Sequence, residues 1–108
     1  MERKIQVVHL PEGHNIDKLV LMSKIENFYD KLAKKLSGEI FMEVYFKVYN
    51  DKGKVESKRE QIETKIHVKA PHLNLNASET EWDIIKSLKK TFKAIEKEAE
   101  KALHKQKK

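Results

Sequence analysis

Lysines recur through the last part of the chain at Lys86, Lys90, Lys93, Lys97 and Lys101, followed by His104 and Lys108, in steps of three and four residues. On a helix, that spacing gathers the ammonium groups into one strip about 30 Å long at ~1.5 Å per residue. Glu96 and Glu100 fall on one flank of the strip and Glu98 on the other. A strip of this kind can follow a phosphodiester backbone, because ammonium groups neutralise phosphates without reading bases. An earlier helical segment adds Lys24, Lys31, Lys34 and Lys35 beside its own apolar stripe. Two helices on one face of a sheet would present both strips along a shared groove. The same residues also fit an ordinary solvated helix exterior rich in Lys and Glu.

A second constellation is aromatic. Phe41, Tyr45 and Tyr49 share one side of an alternating segment, interleaved with Glu43 and Lys47. Exposed aromatics in a row could stack bases, form the centre of a homodimer interface, or simply pack across strands. The neighbouring Glu63, Lys65, His67 and Lys69 mix signs, which suits association between proteins better than capture of a polyanion.

Groupings suited to catalysis are absent from the pattern. The five histidines (9, 14, 67, 72 and 104) show no metal-ligand spacing, and the chain has no cysteine, no Gly-rich phosphate loop and no nucleophile–base motif. No enzymatic activity, metal, cofactor or small-molecule substrate is therefore expected.

The elements that must position these residues follow from hydrophobic period. Lys4–Leu10 reads as a strand ended by Pro11-Glu12-Gly13-His14, and Asn15 as the N-cap of a helix with Asp17 in its first turn. Ile16, Leu19, Met22, Ile25, Tyr29, Leu32 and Leu36 mark the buried stripe of that helix, which Ser37-Gly38 ends. From Glu39 to Tyr49 the period becomes two, with Ile40, Met42, Val44, Phe46 and Val48 inward. Asn50-Asp51-Lys52-Gly53 is a turn. Gln61–Ala70 forms the next strand, and His72–Ala77 a short last one. Ser78-Glu79-Thr80-Glu81 has the form of a capping box opening a long helix whose stripe is Trp82, Ile85, Leu88, Phe92, Ile95, Ala99 and Leu103. The order β-α-β-β-β-α predicts an α+β fold, with a four-stranded sheet and two helices packed on one face.

A chain of 108 residues fits one domain spanning 1–108, with the lysine-rich end 97–108 expected to fray. The net charge of +6 is localised. Residues 1–85 carry 14 Lys/Arg against 14 Asp/Glu, whereas residues 86–108 carry nine lysines against three glutamates. No segment has the length of apolar residues that spans a bilayer, and Met1-Glu2-Arg3-Lys4 does not open a signal peptide. With no cysteine in the chain, a cytoplasmic location and no membrane partner are the expectation.

Two local motifs join this element order. Glu63-Thr64-Lys65-Ile66-His67-Val68 and Asn76-Ala77-Ser78-Glu79-Thr80-Glu81-Trp82-Asp83-Ile84-Ile85 resemble the third-strand and strand-to-helix passages of the short ribosome hibernation-promoting-factor family, also called ribosome-associated inhibitors. Trp82 stands where that family usually has Tyr, and Lys86 where an acid is typical, as in a divergent, archaeal-type relative. The resemblance implies docking on the small ribosomal subunit near the messenger- and transfer-RNA sites, holding the subunit inactive under stress. It maps the RNA-binding positions onto Lys86, Lys90, Lys93, Lys97 and Lys101, supported by Lys31, Lys34 and Lys35. The competing reading is a homodimerisation module using Phe41, Tyr45 and Tyr49. A general double-stranded-RNA binder ranks below both.

Overall fold

The computed structural model describes residues 3–11, 17–36, 38–50 and 60–106. Its elements are β1 (Ile5–Val8), α1 (Lys18–Lys35), β2 (Phe41–Asn50), β3 (Glu60–Ala70), β4 (Leu73–Glu81) and α2 (Ile84–Gln106). They form one sheet in the order β1-β2-β3-β4. β1 runs parallel to β2, so the chain must cross over between them, and α1 supplies the crossover. β2, β3 and β4 form an antiparallel meander. The expected α+β architecture is what the chain adopts.

Alternation on β2 and β3 decides which face is covered. Met42, Val44 and Phe46 on β2 lie opposite Val68, Ile66 and Thr64 on β3, and all are buried. From α1 come Leu21, Ile25, Phe28, Tyr29 and Leu32, and from α2 Ile84, Leu88, Ile95 and Ala99. Phe28 and Phe92 stack between the helices, with ring centroids 4.1 Å apart. Polar groups inside this layer are satisfied. The Tyr29 hydroxyl donates to the Ile40 carbonyl at 2.8 Å and accepts the Lys4 N–H at 3.2 Å, which ties α1 to the start of β1 and β2. Thr64, Ser87 and Thr91 form a buried hydroxyl cluster that fixes α2 on β3 and β4.

Several boundaries differ from expectation. β1 stops at Val8 because His9 takes a left-handed backbone (φ 56°), a conformation His tolerates better than most residues. Asp17, not Asn15, caps α1: its carboxylate accepts the N–H groups of Leu19 and Val20. Asn15, Ile16 and Ser37 lie outside the described residues. Leu19 is 84% exposed, and the buried stripe runs instead through Leu21 and Phe28.

The largest correction concerns Ser78–Glu81. These residues continue β4, paired with Ile62–Lys65, and do not form a capping box. Their side chains alternate in exposure as a strand demands. The helix cap is Asp83, whose carboxylate accepts from Ile85 N–H at 2.7 Å and Lys86 N–H at 3.2 Å. Trp82 consequently sits in the strand-to-helix corner, 55% exposed, and not on the buried stripe.

Candidate nucleic-acid interface

α2 buries Ile84, Leu88, Ile95 and Ala99, together with the hydroxyls of Ser87 and Thr91, against the sheet. At 100° per residue the opposite direction is held by Lys86, Lys93, Lys97 and His104, with Glu100 on the α1 side of the same row, and all five are exposed. Lys90 and Lys101 lie on the flank toward β4, and Lys89 with Glu96 and Glu100 on the flank toward α1. Burial of Ile84, Leu88, Ile95 and Ala99 sets this rotation, and Asp83 caps the first turn.

Carboxylates from β4 and from α2 itself divide the expected contact lysines. Lys90 pairs with Glu81 at the end of β4, and Lys101 makes a long contact of 3.9 Å with Glu98. On α1, Lys31 meets Glu96 at 3.5 Å and Lys35 meets Glu100 at 3.0 Å. These two pairs advance by one turn on both helices in the same direction, so α1 and α2 run parallel and in step. Among the described residues, Lys34, Lys86, Lys89, Lys93 and Lys97 are exposed or partly exposed and form no ion pair.

The eight expected contact residues thus split evenly. Lys34, Lys86, Lys93 and Lys97 are open cations, whereas Lys31, Lys35, Lys90 and Lys101 already face a carboxylate. Lys89 is an open cation that the expected set omitted, although its wheel position beside Lys86 and Lys93 would have admitted it. The hydrogen bond from Lys90 holds the Glu81 carboxyl below the usual carboxylate range and raises Lys90. Asp30 is likewise held down, chiefly by the hydrogen bond from Arg3 and to a lesser degree by the charge of Lys34. Exposed pairs of this kind add little to stability.

Phe41, Tyr45 and Tyr49 occupy the uncovered sheet face, as the alternation predicts; Phe41 and Tyr45 are half-buried and Tyr49 is exposed. The hydroxyls of the two tyrosines are already engaged. The Tyr45 hydroxyl donates to Glu43, which raises its pKa, and the Tyr49 hydroxyl donates to Glu63 at 3.1 Å. The Lys47 ammonium lies 4.9 Å from the Tyr49 ring centre. An open depression at this end of the face is lined by His9, Tyr45, Lys47, Glu63 and Lys65, which carry both signs. Among the described residues, no cluster of His, Asp or Glu could hold a metal ion.

No family model matches the sequence, and no curated protein does. The fold is similar to that of the N-terminal domain of Protein Y from Thermus thermophilus, at a TM-score of 0.67 and 13% identity. The similarity covers 94% of this chain and 98% of that one.

Proposed function

We propose that this chain is a cytoplasmic, non-enzymatic translation-silencing factor that binds RNA of the small ribosomal subunit through the outer face of α2. The observation that carries this reading is the row Lys86, Lys93 and Lys97, exposed on one side of a helix and in no direct ion pair among the described residues. The fold shared with the Protein Y domain is the one that the hibernation-factor resemblance implies. Recognition is by phosphate contact and shape, since the ridge offers point charges and no planar groups for reading base edges. Lys34 and Lys89 extend the open surface toward the groove between the helices. Lys31, Lys35, Lys90 and Lys101 already face carboxylates and are not counted among the contacts of the parent chain.

Sedimentation with purified small subunits tests the reading. The chain is expected to pellet with them at low salt and to be released as salt rises. If five lysines reach phosphates, the slope of log affinity against log salt is about −3.5 to −4.5. The variant Glu96→Gln/Glu100→Gln frees Lys31 and Lys35 from their partners. It is expected to bind more tightly and to steepen the slope by about 1.4–1.8 if both cations reach phosphates. Binding that ignores salt, or a double variant that binds no better than the parent chain, would count against phosphate contact along these helices.

A further inference from the structure

β4 is the edge of the sheet, and its half Leu73–Ala77 carries no charge, proline or bulge to keep it from pairing; its charged residues, Glu79 and Glu81, lie beyond that stretch. The strand has nine residues in unbroken register with β3, with no bulge, no proline and no lysine. Its uncovered face presents Asn74, Asn76, Ser78 and Thr80, all exposed and uncharged. On the covered face, Leu73 and Ala77 pack against the core but are only partly buried, beside the buried Leu75. The opposite edge differs: β1 has four residues and ends at the left-handed His9. Among the described residues, the Ser87 hydroxyl on the Glu79 carbonyl is the hydrogen bond that reaches the main chain of β4 from outside the sheet.

We propose that β4 pairs antiparallel with β4 of a second copy of this chain, about a two-fold axis at Leu75, to give a continuous eight-stranded sheet. The sequence Leu73-Asn74-Leu75-Asn76-Ala77 is self-complementary in that register. Leu75 meets Leu75, Leu73 meets Ala77 on the covered face, and Asn74 meets Asn76 on the other. Apolar groups therefore face apolar groups, and side-chain amides face amides able to hydrogen-bond across the strands. Beyond this core, Glu79 of each copy approaches Pro71 and His72 of the other.

Charge permits the approach. The flank of α2 above this edge is the one where Lys90 is paired with Glu81 and Lys101 with Glu98. The unpaired Lys86, Lys93 and Lys97 point away from the axis. Two copies can thus join without bringing their basic ridges together. Glu79 and Glu81 at the edge disfavour a polyanion as its occupant. Pairing over five residues gives an interface at the small end of the specific range, so the dimer is expected to be weak and reversible.

The test needs no RNA, so its result is independent of the ribosomal reading. Sedimentation equilibrium of the full chain across ~1–500 μM, bracketing the weak-dimer range, is expected to show a monomer–dimer equilibrium. Asn74→Lys/Asn76→Lys places like charges opposite each other on an exposed face and is expected to weaken dimerisation at least ten-fold. Tyr45→Glu on the open sheet face is expected to leave it intact. Because the chain has no cysteine, register is read directly: Asn74→Cys mixed with Asn76→Cys is expected to cross-link under oxidation far more than either alone. A monomer at every concentration, a dimer insensitive to the lysine substitutions, or equal cross-linking in mixed and single samples would overturn the proposal.

Discussion

Replacing Lys86, Lys93 and Lys97 together by glutamate is expected to lower affinity for small ribosomal subunits by about a hundred-fold or more and to flatten the salt slope by about 2.1–2.7. The three side chains lie within roughly three turns on the outermost side of α2, where a backbone of phosphates would pass. None forms a direct ion pair among the described residues; the charge of Lys86 reaches Glu81 only as the smallest of the causes that hold that carboxyl down, so the substitutions break no direct intramolecular contact. The thermal midpoint is therefore expected to stay close to that of the parent chain, which separates loss of binding from loss of fold. Lys90 is left out of the set because glutamate there would confront Glu81 and disturb the end of β4. Retention of wild-type co-sedimentation by the triple variant would remove the α2 ridge from the interface.

Phe28→Ala is expected to cost about 3–5 kcal/mol, the range for truncating a buried aromatic side chain. Phe28 is 5% exposed and stacks on Phe92 with the rings 12° from parallel, so its removal opens a void between α1 and α2. Domains of this size have only ~5–15 kcal/mol in hand, so such a loss approaches unfolding. Urea denaturation followed by far-UV circular dichroism measures it. Phe28→Leu keeps most of the volume and is expected to lose much less. The consequence extends to the surface, because the same packing holds Lys31 against Glu96 and Lys35 against Glu100. A cost below about 1 kcal/mol would mean that the helices do not depend on this stack.

The sheet was legible because β2 and β3 are covered on one face only, and such strands must alternate. Met42, Val44, Phe46, Ile62, Ile66 and Val68 announce that face without ambiguity. The α2 stripe was legible through Leu88, Ile95 and Ala99 for the same reason at a different period. Where the readings failed, two local patterns competed and a distant partner decided. Ser78 with Glu81 satisfies the capping-box pattern, yet the same residues alternate, and the free half of β3 pairs with them as a strand. On α1, Leu19 and Leu21 lie on different sides of the helix, and only the position of the sheet and of Phe92 selects the second.

The candidate interface shows the same division. Helical spacing alone placed Lys86, Lys93 and Lys97 on one ridge. The carboxylate facing Lys90 comes from a strand, and those facing Lys31 and Lys35 come from a helix some 65 residues away in sequence. That α1 and α2 run parallel and in step cannot be read from either helix by itself. Pairing across elements is thus what separates open cations from occupied ones, and it was invisible to a wheel drawn for one segment.

The most direct measurement is a lysine footprint: reductive methylation of the chain, free and bound to small ribosomal subunits, with each site quantified by mass spectrometry. Lys86, Lys93 and Lys97 are expected to be protected in the complex, and Lys47, Lys65 and Lys69 on the open sheet face to react as in the free chain. Protection of the sheet-face lysines with an unchanged α2 ridge would contradict it.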